Sequence, residues 1–202
     1  MAVEPLFYYN INNNNLIIST DGTTQTRKSG GGWIIALEDG AKIVSGHNHN
    51  FVQSKDINSY RTEIYASLVA SLFLHLYSQF SMVKLTNKCQ AICSNPKYIR
   101  QLFWILEDEY HHHGLHKSTG QEALYIILQM FPPNFKIEFI QGYQDRKIQY
   151  NRLSITVKLN VDTKKYSKKI LPFQQNTHII LSTMSIYINN IYIYIYIYIY
   201  SQ

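Results

Sequence analysis

Charge is scarce in this chain: Asp, Glu, Lys and Arg make up 16% of its 202 residues, below the roughly one quarter usual for soluble domains. The formal excess of +6 favours an anionic partner such as nucleic acid, but a solvated basic surface accounts for it equally well. Cysteine is nearly absent. Cys89 and Cys93 lie four apart in a segment that reads as a strand, so both point to one face. They read as free, buried thiols in a reducing compartment, and no further ligands lie near enough to complete a zinc site. The N-terminus, MAVEPLFYYNINNNN, lacks the basic start and apolar core of a secretory signal, which points to an intracellular protein. A membrane-spanning run is missing too: the apolar stretch near the C-terminus is too short for a helix and is broken by Asn189-Asn190.

What is present is a core. Hydrophobic residues reach 46%, with 17 tyrosines, and the length suits one α/β domain of roughly 150 residues with tails. Residues 1–14 run into an asparagine tract and read as a disordered lead-in. Leu16–Thr20 is a β-branched strand followed by the turn pair Asp21-Gly22, and Trp33–Leu37 and Ala41–Gly46 form a hairpin across Asp39-Gly40. Asn58-Ser59 opens a helix to about Phe80, whose small residues Ala66, Ser67, Ala70 and Ser71 permit close approach to a sheet. Lys84–Cys93 reads as a fourth strand and Lys136–Ile140 as a fifth. Helices are expected from Pro96 to about Glu109, from Glu122 to Met130, where Pro132-Pro133 stops the run, and within Asn151–Lys169. Three antiparallel strands, a helix, then alternating strands and helices imply an α/β domain over residues 15–170. Its mixed five-stranded sheet would have parallel additions and helices on both faces.

Hydrolysis of a phosphodiester by two metal ions needs several carboxylates converging on one point, because Mg²⁺ requires hard oxygen ligands. Ser19-Thr20-Asp21-Gly22-Thr23, the Gly-Gly-Trp-Ile-Ile strand, and Ser59-Tyr60-Arg61-Thr62-Glu63 together resemble ribonuclease H-like domains of retrotransposon and reverse-transcriptase type. Phe139–Asp145 resembles that family's Lys-Gly-His-Gln-Asp segment, and Leu153-Ser154 with Leu159-Asn160-Val161-Asp162 its Leu-Ser…Leu-Asn segment. The resemblance implies that Asp21 and Glu63 are the first two catalytic carboxylates, holding Mg²⁺ or Mn²⁺. It also marks departures. Ser94 stands where the third aspartate is expected, Tyr143 where the family has a histidine, and Lys164 at the position of the fourth carboxylate. Asp162 is the remaining acid, but it lies two positions earlier, ~200° around a helix, so it would serve only if the helix start rearranged. Outside the resemblance, Asp21-Gly22 is a common turn and Glu63 a common early-helix cap.

The basic positions Arg152, Lys158, Lys165 and Lys168 suit phosphate contacts on one helix, although a solvated face explains them equally well. His111, His112, His113 and His116 sit in a polar stretch, and consecutive histidines do not all face one ion. Residues 171–202 break the pattern. Ile191–Tyr200 is five Ile-Tyr pairs that as a strand would show isoleucine on one face and tyrosine on the other, an aggregation hazard that also reads as translated AT-repeat DNA. Three functions compete: a nucleic-acid-binding domain with lost or impaired cleavage of RNA–DNA hybrids, an active two-metal hybrid ribonuclease, and a decayed retroelement fragment.

Overall fold

A computed structural model describes residues 15–25, 28–49, 58–81, 89–94, 135–169, 181–188 and 191–198. The expected helices at 96–109 and 122–130 and the histidine cluster fall outside these residues. The elements in chain order are β1 (Leu16–Gln25), β2 (Lys28–Leu37), β3 (Lys42–His49), α1 (Ser59–Ser81), β4 (Cys89–Cys93), β5 (Phe135–Phe139), α2 (Ile155–Lys169), β6 (Leu181–Ile188) and β7 (Ile191–Tyr198). Two single 3₁₀ turns, Gln144–Arg146 and Tyr150–Arg152, join β5 to α2.

The described strands form one sheet in the order β5-β4-β1-β2-β3-β6-β7. β1–β2 and β2–β3 are antiparallel, whereas β4 joins β1, and β5 joins β4, in parallel. The expected five-stranded mixed sheet is therefore present. β6 and β7 extend it: Val44–Asn48 of β3 pair with β6, and β7 pairs with β6 antiparallel through Ile188 and Ile191. Ile191–Tyr198 of the Ile-Tyr repeat thus adopt the strand conformation that its period of two dictates.

Both sheet faces are covered, which is why β1 and β2 read as continuous rather than alternating apolar runs. Leu16, Ile18, Trp33, Ile35 and Val44 pack under α1 against Val69, Ala70, Phe73 and Leu74. On the other face Ile17, Ile34, Ala36 and Ile92 meet Val157, Leu159 and Val161 of α2. Trp33 lies 5.3 Å from Phe73, ring centre to ring centre. Hydroxyl pairs continue the alternation, with Thr20 bonded to Ser67 of α1 (2.9 Å) and Thr163 of α2 donating to Ser19 (2.8 Å).

The capping reading at Asn58 holds, since its side-chain oxygen accepts from the Arg61 backbone N–H at 2.9 Å. Ser154 caps α2 in the same way, weakly through its hydroxyl to Val157 (3.4 Å), while its carbonyl accepts from Lys158 (2.9 Å). The Asp39-Gly40 hairpin is also as expected. Gly40 takes φ +89°, and Asp39 accepts from the Ala41 N–H at 2.8 Å.

The turn assigned to Asp21-Gly22 is a correction. β1 runs through this pair to Gln25, with Asp21 opposite Gly32 and Gly22 opposite Gly31. Glycine is needed here for space. A Cβ on Gly22 would lie 2.6 Å from the Thr62 carbonyl carbon, so the first turn of α1 rests directly on the strand. One on Gly32 would lie 2.5 Å from the Ser167 nitrogen and the Thr163 oxygen of α2. A Cβ on Gly31 would lie 2.9 Å from the Cβ of Ala66, one of the small α1 residues read from the sequence.

Candidate active site

Parallel pairing of β1 with β4 ends at Ser19–Ile92. Asp21 stands two residues further along β1, on the sheet face that receives α2, and Ser94 follows directly after the last residue of β4. Ser94 donates its backbone N–H to Glu63 Oε1 at 3.2 Å. Glu63 lies on the α1 turn that touches Gly22, the neighbour of Asp21. After β5, Gly142 comes up against Ser94, where an added Cβ would sit 3.4 Å from the Ser94 Cβ. The next residue is Tyr143. The Lys164 ammonium lies over its ring, 3.3 Å from the centre. The circle closes at α2, where Ser167 donates to Asp21 Oδ2 at 3.2 Å and the Lys164 charge acts on the Asp21 carboxylate. Asp21, Glu63, Ser94, Tyr143 and Lys164 therefore occupy one locality, built from the ends of two strands, two helices and the turn after β5.

Asp21 and Glu63 are both buried, at 7% and 3% exposure. Burial lifts the Asp21 carboxyl from its ordinary 3.8 to about 6, against the opposing pull of Lys164, the Ser167 hydroxyl, Lys168 and the Gly22 backbone. An acid stripped of water is costly to ionise, and neighbouring cations offset only part of that cost.

Asp162 is placed elsewhere. Its carboxylate accepts from Lys42 (2.6 Å) and Lys165 (2.9 Å) and from the Tyr150 hydroxyl (2.7 Å). It ties α2 to β3 and to the second 3₁₀ turn, and its oxygens are occupied there. Burial acts to raise its pKa, but the hydrogen bonds from Lys42, Tyr150 and Lys165 outweigh it and hold the group below the ordinary carboxylate range. This acid therefore adds stability that is present above the unfolded carboxylate pKa and is lost as pH falls toward the depressed folded value. Because both lysines are substantially exposed, Asp162→Asn is expected to cost only about 1–2 kcal/mol at pH 7. Urea unfolding should show the wild-type advantage shrinking below pH 4. A constant difference down to pH 2 would contradict this account.

The basic residues named from the sequence divide between two faces. Lys158 and Lys165 lie over the Tyr150 ring at 6.0 and 4.9 Å, whereas Lys168 joins Lys164 in acting on Asp21. Arg152 is exposed in the turn before α2. Sequence reading missed Arg146, which stacks on Tyr143 at 4.3 Å. Tyr143 takes φ 62°, the single positive φ outside glycine among the described residues. Nothing local in the sequence signals either feature.

Among the described residues the donor set does not fit a pair of Mg²⁺ or Mn²⁺ ions. Ser94 offers only a weak neutral oxygen, Asp162 is bound elsewhere, and the Lys164 charge acts on Asp21. Among the described residues no three His, Cys, Asp or Glu side chains gather as a metal-binding group.

No protein-family profile and no curated sequence matches the chain. Solved structures do. A ribonuclease H1 isolated from compost by a metagenomic approach superposes with a TM-score of 0.53 at 14% identity, covering 79% of this chain and 97% of that one. The same enzyme solved with an RNA/DNA hybrid gives 0.56 at 14% identity, over 78% and 97%. The fold is ribonuclease H-like. A foamy viral protease-reverse transcriptase solved with double-stranded DNA gives 0.54 at 10% identity, over 79% of this chain and 94% of that one. Identities this low speak for the ribonuclease H-like architecture alone.

Proposed function

We propose that this chain is a nucleic-acid-binding ribonuclease H-like domain of retroelement type whose hydrolysis of RNA–DNA hybrids is lost or severely impaired. The observation that carries the reading is Lys164, at the position from which the resemblance expects a fourth acid and on the same turn of α2 as Ser167, which bonds the buried Asp21. With Ser94 in place of the third, the site keeps two carboxylates, and each 1.36 kcal/mol of lost transition-state stabilisation costs tenfold in rate. The nucleic-acid part is supported by the net charge of +6, by lysines on two faces of α2, and by similar structures that hold an RNA/DNA hybrid or double-stranded DNA. The retroelement part rests on the motif order of Asp21-Gly22, Glu63 and Leu159-Asn160 alone. The chain has no described helix long and apolar enough to cross a membrane.

The direct test is incubation of an RNA–DNA hybrid with the protein in Mg²⁺ or Mn²⁺, with Asp21→Asn as control. No product above the control is expected. Hydrolysis abolished by that substitution would establish an active nuclease instead. The double variant Ser94→Asp, Lys164→Asp rebuilds the acid set, so it should gain a Mg²⁺-dependent rise in melting temperature that the wild type lacks. Saturation at 100-fold over Kd corresponds to about 2.7 kcal/mol. Metal-dependent cleavage should follow in the folded variant. A double variant that melts identically with and without Mg²⁺ would argue against these positions as the altered metal ligands.

A further inference from the structure

Lys164 at an expected acid position and Tyr143 at an expected histidine position do more than remove a metal site. Lys164 Nζ stands 3.3 Å from the centre of the Tyr143 ring, and the Arg146 guanidinium lies 4.3 Å from the same ring. Tyr143 is 54% exposed and is held in the left-handed region, φ 62°, ψ 21°, by the turn that carries Arg146. A tyrosine in that conformation carries a strain cost that a merely connecting turn avoids by using glycine or asparagine. Here the bend sets the ring beside the α2 cations. Lys168 adds a further exposed charge one helical turn on, and Asp145 is the one acid in the 3₁₀ turn itself. The buried Asp21 takes up part of the Lys164 charge while Arg146 and Lys168 face solvent.

We infer that Lys164, oriented by Tyr143 and flanked by Arg146, is a resident cation with which this site grips a backbone phosphate of a nucleic-acid strand without a divalent metal. In a metal-dependent site the acids collect the cations and the cations hold the phosphate. Here the cation is covalently part of α2, and the ring face fixes its position by a cation–π contact. This assignment rests on the nucleic-acid reading above and narrows it to one cluster and one ligand group.

The test is equilibrium binding of the full chain to a labelled RNA–DNA hybrid, titrated with salt, in EDTA and again in Mg²⁺. The wild type should bind as well in EDTA as in Mg²⁺. Lys164→Met and Arg146→Gln should each weaken binding roughly five- to tenfold and flatten the log–log salt slope by about one. Tyr143→Leu leaves every charge in place. It should weaken binding less, with the slope unchanged, as expected of a positioning residue. Lys136→Gln, which removes an exposed lysine on β5 outside the cluster, should leave the slope as it is. Circular dichroism melts check that each variant folds, and Arg146, exposed in a turn, provides a change independent of helix packing. Binding lost in EDTA would overturn the inference. So would Lys164→Met and Arg146→Gln variants that bind with the wild-type affinity and slope, although general phosphate binding by other lysines would then survive. A wild type with no salt-dependent binding removes both readings.

Discussion

Gly22→Ala and Gly32→Ala should each destabilise the domain by about 3 kcal/mol or more, at the upper end of what overpacking costs. In both cases the added methyl meets backbone, which has no rotamer to change. On Gly22 it would press on the Thr62 carbonyl carbon at 2.6 Å, and on Gly32 on the Thr163 oxygen and Ser167 nitrogen at 2.5 Å. Relief requires α1 or α2 to lift off the sheet and open the cores built around Trp33 and Ile34. For a domain of this size the melting temperature should fall by roughly 6–12 °C. Gly142→Ala is the contrast. Its methyl would make ordinary contact with the Ser94 Cβ at 3.4 Å, so a change within about 0.5 kcal/mol is expected. Equal losses at all three positions in thermal unfolding would show that glycine flexibility, rather than close helix approach, governs them.

Those glycines mark where sequence reasoning succeeded and where it stopped. The five-strand order, the Asn58 cap and the Gly40 hairpin were legible because each has a local signature: β-branched runs, a side-chain acceptor before a helix, an Asp-Gly pair. The same dipeptide misled at Asp21-Gly22. A turn and a close helix crossing both call for glycine, and only the three-dimensional position of Thr62 separates them. The small α1 residues signalled close packing correctly, but the partner surface, Gly31 against Ala66 on one face and Gly32 against Ser167 on the other, depends on which strand lies beneath each helix.

The site divides in the same way. Asp21, Glu63, Ser94, Tyr143 and Lys164 were named from motif order; in the fold Ser94 bonds Glu63 and Lys164 covers Tyr143, while the remaining links run through Gly22, Gly142 and Ser167. The destination of Asp162 was not legible, since its partner Lys42 is 120 residues away in sequence. Nor was Arg146, which reaches Tyr143 through a left-handed backbone that no residue type there announces. The pairing of the C-terminal repeat with β6, and of β6 with β3, was equally hidden. A period of two dictates a strand but names no neighbour.

Asp21→Asn should stabilise the protein at neutral pH by up to about 3 kcal/mol, the free energy of a carboxyl pKa moved from 3.8 to about 6. The sign follows from the direction of the shift. Below pH 3.8 the acid is neutral in both the folded and unfolded chains, and no penalty exists. Between 3.8 and 6 the unfolded chain releases a proton that the folded chain retains, so stability falls as pH rises. Above 6 the full cost of a buried carboxylate is present. Asparagine keeps the shape and an oxygen for the Ser167 hydroxyl but never ionises. Urea unfolding of both proteins should therefore give curves that coincide near pH 3.5, diverge through pH 4–6 and run parallel from pH 7. A difference independent of pH would mean that Lys164 and Lys168 already neutralise the carboxylate fully. Binding a cation at Asp21 should close the gap from the wild-type side, so the same pair of curves, repeated on the Ser94→Asp, Lys164→Asp background with Mg²⁺, should converge. In the unaltered site, with its lysine in place, Mg²⁺ should leave the gap open.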